Sequence, residues 1–230
     1  IGANLRYGTA SEQFYAQMKY SHLFNYRNYR GLTVAGGHYV SQFNASEPIS
    51  PILNTSYALI DKYNYMRLYE KTFGSIGYQQ ELVNGVFLHS KVEYAQRNRL
   101  YNSTDYTWSG KDDRRFQPNN PPGVPINNNR ELIAEVNFRF RINQKYETFP
   151  HRKRMMGSRW PTFFLTYRKG ISAFDSDVNF DFASAGISYD LDLGQIGVTR
   201  MDADVGGFLN TNSMQFYDYQ HFNGNRTGVI

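Results

Sequence analysis

The sequence predicts an all-β fold, an antiparallel transmembrane β-barrel of which these 230 residues form an incomplete portion. Three observations predict it. In RELIAEVNFRFRIN, residues 130–143, Leu132, Ala134, Val136, Phe138, Phe140 and Ile142 share one parity. Glu135, Asn137, Arg139 and Arg141 share the other, with Ile133 as the exception. Strand side chains alternate between faces, so this segment has one apolar and one charged face. Second, aromatic residues make up 17% of the chain, yet its mean hydropathy is −0.61. A barrel with an apolar, aromatic-girdled exterior and a polar lumen reconciles these two facts. Third, the joins near 84–85 and 194–195 are very short, whereas those at 44–64 and 98–129 are long. Outer-membrane barrels have short turns at the periplasmic end and long loops outside.

In chain order, the first alternating segment is FYAQMKYSHLF, residues 14–24, where Phe14, Ala16, Met18 and Tyr20 oppose Gln17, Lys19 and Ser21. LTVAGGHYVSQF, 32–43, is a β-rich run whose two glycines suit a bend or a close backbone approach. ALIDKYNYMRLYEK, 58–71, is either a short helix or an irregular strand entry. Strands over 65–82 and 86–97 flank Asn84-Gly85, a strong hairpin signal. The stretch 98–129 contains QPNNPPGVPINNN and is expected to be a long extracellular loop. The strand over 130–143 follows. Residues 144–161 break the pattern of joins, because they fall at the short-turn end. TFFLTYRKG, 162–170, is a further strand, and segments 179–193 and 196–208 meet at LGQIG as a hairpin. About nine strands result, an odd number where bacterial single-chain barrels nearly always have an even one, so either one strand is misassigned or the chain is an incomplete barrel wall.

Several classes of chemistry are weakened or excluded. There is no cysteine, so no disulfide and no thiolate metal site. No apolar run reaches the length of a transmembrane helix. The formal charge of +5 is mild, and HRKR at 151–154 is the only tight basic cluster. YSHLFNYRNYRG, 20–31, interleaves aromatic and basic residues as single-strand binders do. An interfacial turn explains it as well, so nucleic acid is not an expected partner. Asp175, Asp177, Asn179 and Asp181 alternate like the start of a calcium loop. The loop's glycine position holds Phe180 and its final glutamate position holds Gly186, so the match is weak and no metal or cofactor is expected. No two histidines stand at metal-ligand spacing, and no nucleophile elbow, P-loop or dinucleotide glycine fingerprint occurs.

If the apolar parity of 130–143 meets lipid, Leu132, Ala134, Val136, Phe138, Phe140 and Ile142 form an outward band. Arg139 and Arg141 then point into the lumen, with Lys91, Glu93, Arg168, Arg200, Asp202 and Asp204. An Arg on the lipid face costs about 2–4 kcal/mol at the bilayer midplane, and that cost fixes the register.

FPHRKRMMGSRWPTFFLTYRKGI, then SDVNFDFASAGISYDLDLGQIGVTRMDADVGGFL, then FYDYQHFNGN resemble the C-terminal barrel of a Bacteroidota outer-membrane family of poorly defined function. LVNGVFLHSKVEYAQRNRLYNSTDY resembles the part before it, so the likeness covers roughly residues 60–225. HFNGN and P-T-F-x-L-x-Y-x-K-G are its more specific motifs. Members commonly carry a carboxypeptidase-regulatory-like β-domain ahead of the barrel. They are distantly similar to the BamA-like assembly and translocation barrels. The resemblance implies a bacterial outer-membrane location, no catalytic residues, and strands beyond RTGVI. Residues 1–230 are accordingly expected to be one partial outer-membrane barrel domain.

The expected role is transport, or a membrane platform for protein assembly or secretion, without enzymatic activity. The expected partners are outer-membrane lipid and other outer-membrane or periplasmic proteins. Two other classes stand beside it: a soluble all-β carbohydrate-binding domain, and an outer-membrane barrel enzyme with its site at the extracellular rim.

Overall fold

The computed structural model describes residues 1–9, 11–44, 49–110, 115–120, 123 and 125–221. Of the resemblance motif HFNGN, only His221 lies within the described residues. Nine strands hydrogen-bond into one antiparallel sheet in which every neighbour but one is also the next strand in the chain. They are β1 (Gly2–Gly8), β2 (Gln13–Asn25), β3 (Arg30–Gln42), β4 (Leu68–Val83), β5 (Val86–Arg99), β6 (Asn129–Arg141), β9 (Thr162–Gly170), β10 (Asn179–Asp192) and β11 (Val198–Ser213). The single jump, β6 to β9, skips a separate two-stranded hairpin, β7 (Lys145–Thr148) with β8 (Lys153–Gly157). The sheet is not closed on itself, since β1 and β11 are its two edges.

The meander sorts the connections onto two ends. Tight joins at 26–29, 84–85 and 193–197 lie at one end, together with the β7–β8 hairpin. The connections 43–67 and 100–128 lie at the other. Residues 144–161 therefore do fall at the tight-turn end. They make a hairpin of their own there instead of adding a strand to the wall.

At the tight-turn end the Asn84-Gly85 turn is held from three sides. Glu81 accepts from the Gly85 N–H at 3.1 Å, and Gly85 O accepts from the Arg141 N–H at 2.8 Å. Asn84 Nδ2 donates to Gln144 O at 2.8 Å. Gly85 has φ +87°, and a Cβ there would sit 2.3 Å from Arg141 O. Only glycine combines that dihedral with that approach.

The segment 58–71 resolves differently from either alternative the periodicity offers. Helix α1 is Pro51–Asp61, so it begins earlier and ends inside the segment. Ser50 caps its start by accepting from the Leu53 N–H at 3.2 Å, and Pro51 stands at its first turn. Lys62, in the left-handed conformation, ends it. Asn54 then accepts from the N–H groups of Tyr65 and Met66 at 2.9 and 3.1 Å, leading the chain into β4.

The described part of the loop between β5 and β6 is without strand or helix, but it is tied to the sheet rather than freely solvated. Asn119 accepts from Leu68 N–H at 2.9 Å and donates to Leu68 O and Leu100 O. Thr107 and Trp108 both donate to Leu59 O on α1, at 2.6 and 2.9 Å.

Candidate functional site

Register decides which residues can meet. Across β5, β6 and β9, Leu88, Phe138 and Leu165 align in one row, and Ser90, Val136 and Tyr167 in the next. Leu132, Ala134, Val136, Phe138, Phe140 and Ile142 all belong to this outer face. It continues through Leu5 on β1, Met18 on β2, Val34 on β3, Ile76 on β4 and Val205 on β11. Those five side chains are 52–73% exposed, so nothing among the described residues covers this face. Its charged residues, Arg30, Glu70, Arg130, Lys169 and Asp181, all stand within three residues of a strand end. The middle of the face carries no charge.

The opposite, inner face is polar. Lys91, Glu93, Arg139, Arg141, Arg168, Arg200, Asp202 and Asp204 all fall on it. They do not form one cluster. The structure divides them into three zones.

The first zone, toward the long-loop end, is an ion-pair chain of alternating sign: Lys91, Glu93, Lys71, Glu131, Arg97, Asp218. Lys91 lies 3.5 Å from Glu93, and Lys71 bridges Glu93 and Glu131. Arg97 Nη1 lies 2.9 Å from Glu131 and 2.7 Å from Asp218. Three cations face three carboxylates, and Arg97, Glu131 and Asp218 are almost wholly buried. Burial of unpaired charge would be prohibitive, so the pairing is what permits these residues here. Asp218 comes from the 3₁₀ turn Phe216–Asp218, which folds back from the end of β11 across the inner face. Its backbone O accepts from Arg168 at 2.6 Å. Beside it Tyr217 packs on Phe43 and Tyr69, with the Arg97 guanidinium 4.7 Å from its ring centre. Burial pushes the Tyr217 hydroxyl up to about 12, so it stays neutral.

The second zone, toward the tight-turn end, is a cavity of about 1020 Å³ between the inner face and the β7–β8 hairpin. Arg139 from β6 lines it between Phe87 of β5 and Phe164 of β9, which are its direct cross-strand neighbours. The hairpin contributes Arg152, Lys153 and Arg154. Lys153 anchors the hairpin to the wall, with Nζ 2.6 Å from Glu81 and 2.8 Å from Asn84 Oδ1. Tyr29 Oη donates to Lys153 O at 2.5 Å.

The third zone lies near the β11 edge. Arg200 makes a two-pronged pair with Asp190 at 2.6 and 3.0 Å, and both are exposed. Arg141 and Asp202 line the same shallow groove. Asp204 stands opposite Gly186, further along β11.

The calcium candidates are not brought together. Asp175 pairs with Arg130 at 3.3 Å, and Asp177 accepts from the Arg130 N–H at 2.8 Å. Asp181 is taken by Lys169 and Tyr167 on the outer face, and Asn179 accepts from Asn210. Among the described residues no three His, Cys, Asp or Glu side chains group as metal ligands.

Parity alone missed Lys71, Arg97, Glu131 and Asp218. The first three sit on inner-face positions that alternation could have marked. Asp218 lies outside any strand and gave no signal.

A family model described as "Family of unknown function (DUF5686) C-terminal domain" matches residues 1–230. No curated protein and no solved structure matches the chain.

Proposed function

The chain belongs to that family, and from this premise we propose that it forms part of the wall of a bacterial outer-membrane β-barrel. Its proposed role is non-enzymatic: transport, or a membrane platform for assembly or secretion partners. Its proposed contacts are outer-membrane lipid and other envelope proteins. The kinship with Bacteroidota barrels and the BamA-like superfamily that the sequence motifs suggest belongs to the same proposal.

One observation carries it. A nine-stranded meander has one predominantly apolar face, with no Asp, Glu, Lys or Arg except near strand ends, and with large apolar side chains exposed on strands from β1 to β11. Along β6 that face runs from Leu132 to Phe140, nine residues, with Ile142 just past the strand end, and transmembrane strands need about 9–11. Burying a large aliphatic side chain is favourable by roughly 1.5–3 kcal/mol. Leaving this many half-exposed to water would forfeit tens of kcal/mol on that scale, so the face requires an apolar partner. A soluble sandwich would supply a second sheet. The only other sheet among the described residues is a two-stranded hairpin, and it covers the inner face.

The test uses the absence of cysteine from this sequence. A Val136→Cys variant carries one spin label at the centre of the outer face. In lipid vesicles the label is expected to be relaxed by bilayer-dissolved oxygen and protected from a water-soluble paramagnetic reagent. A label that is immobile and shielded from both reports packing against protein, and the barrel-wall proposal fails.

A further inference from the structure

We infer that the cavity under the β7–β8 hairpin is a binding site for a small amphipathic anion, a phosphate or carboxylate carried on a flat apolar body. The inference goes beyond the barrel proposal, because it rests on the inner face and holds whatever the outer face meets.

Charge is the first ground. Arg139, Arg152 and Arg154 line the cavity, and no Asp or Glu does. Among the described residues none of these three guanidinium groups has an ion-pair partner. The fourth cation, Lys153, is already taken by Glu81 at 2.6 Å. The cavity therefore carries three guanidinium groups with no direct carboxylate contact, with Glu81 acting on Arg139 only from longer range and Glu147 opposite Arg154 in the hairpin register. That contrasts with the ion-pair chain at the other end of the same face, where cations and carboxylates balance.

Arg139 supplies the second ground. Its Nε is buried with no hydrogen-bond partner. Buried polar groups in folded proteins are nearly always satisfied, so an orphaned guanidinium nitrogen marks a place for an acceptor. The Arg139 guanidinium lies 4.6 Å from the centre of the Phe87 ring. Where that contact stacks the guanidinium on the ring it uses a face, while the N–H donors lie along the edge, the geometry suited to a phosphate or carboxylate fork.

The third ground is the apolar lining. Phe87 and Phe164 flank Arg139 in the cross-strand row, and Met155 and Tyr29 close the hairpin side. A free inorganic anion would leave these surfaces unused. A ligand with an anionic head and a flat body meets both, and about 1020 Å³ is at the upper end of what small-molecule sites enclose.

Isothermal titration of the intact protein with 1-naphthyl phosphate tests this, with 1-naphthol and inorganic phosphate as comparisons. The naphthyl ester is expected to bind at least tenfold more tightly than either. Arg139→Gln is expected to weaken it at least tenfold, and Arg139→Lys less. Arg152→Gln with Arg154→Gln, at exposed hairpin positions that should not affect folding, is expected to weaken it severalfold. Arg200→Gln, outside the cavity, should leave it unchanged. Absence of naphthyl phosphate binding overturns the inference. Equal binding of 1-naphthol removes the anion requirement and overturns it, and equal binding of inorganic phosphate removes the apolar one and does the same. An unchanged constant in the Arg152→Gln, Arg154→Gln variant would show that binding lies elsewhere. The Val136 label reports the outer face separately, so the two proposals fail independently.

Discussion

Removing the charge of Asp218 perturbs the inner face at its most buried point. The Asp218 side chain is 0% exposed, and its neighbours Arg97 and Glu131 are 2% and 3% exposed. Breaking a buried pair by deleting one partner costs about 3–5 kcal/mol, because an uncompensated charge remains. Asp218→Asn keeps the shape and leaves Arg97 with Glu131 at 2.9 Å, so its cost belongs at the low end, about 3 kcal/mol. Arg97→Met removes the cation between two carboxylates and belongs at the high end, about 5 kcal/mol. The double variant leaves two cations and two carboxylates in the chain, again balanced. Its cost should therefore be close to that of Arg97→Met alone, giving a coupling of about 2–3 kcal/mol. The assay is urea unfolding of protein refolded into vesicles, followed by heat-dependent gel migration and tryptophan fluorescence. Single-variant costs that add to within about 0.5 kcal/mol in the double variant would refute the coupled chain, even if each variant were destabilised.

Two further outcomes follow from the ends of the sheet. Lys62, 2% exposed, hydrogen-bonds Asp105 in the long loop and holds that carboxyl below its ordinary value of 3.8. The contact is therefore complete at neutral pH, declines once the pH falls below the unfolded value, and is gone below the lowered folded one. Protease cutting within 100–110 should rise as the pH falls below 3.8, measured with an acid-tolerant protease, and Asp105→Asn should abolish the rise. At the other end, Gly85→Ala should destabilise the protein by about 1–3 kcal/mol in the same urea assay, since a positive φ and a backbone clash coincide there.

Alternation exposed the strands of the large sheet because a strand's period is two and its two faces differ in polarity here. The same logic grouped Leu132, Ala134, Val136, Phe138, Phe140 and Ile142 on one face, Ile133 excepted, and the eight charged residues on the other. It could not see β1, whose Gly2–Gly8 is short and carries little polar contrast beyond Asn4 and Arg6. It could not see the inward hairpin either. Residues 145–157 look like a loop because their pairing is local and only four or five residues long per strand. Helix α1 was misplaced because its start is marked by a cap and a proline rather than by apolar period, and it buries no residue. Shared face also proved weaker information than contact. Arg139 and Arg168 point the same way, yet one lines the cavity and the other supports the Phe216–Asp218 turn.

The two ends of the inner face use similar side chains to opposite effect, and compensation is the difference. At the long-loop end every cation of the ion-pair chain touches a carboxylate, and an aromatic cluster of Phe43, Tyr69 and Tyr217 closes over it. The buried Arg97 has its donors spent on Asn129, Glu131 and Asp218, apart from Nη2, which is buried. The role of the ion-pair chain is to lock the segment after β11 against β4, β5 and β6. At the tight-turn end Glu81, the carboxylate that touches the hairpin's Lys153, is spent on that anchor, the Gly85 N–H and Gln144. It makes no direct contact with Arg139 and acts on it only at longer range. The anchor thus holds the hairpin in place while leaving the three guanidinium groups facing open space. Neutralising Lys153 should therefore loosen the hairpin and free Glu81 to approach Arg139, so Lys153→Met is expected to weaken naphthyl phosphate binding although Lys153 is not the anion's partner. Tighter binding in that variant would mean that Glu81 does not stand between the anchor and the cavity, and the separation of structural from ligand-facing charge at this end would be wrong.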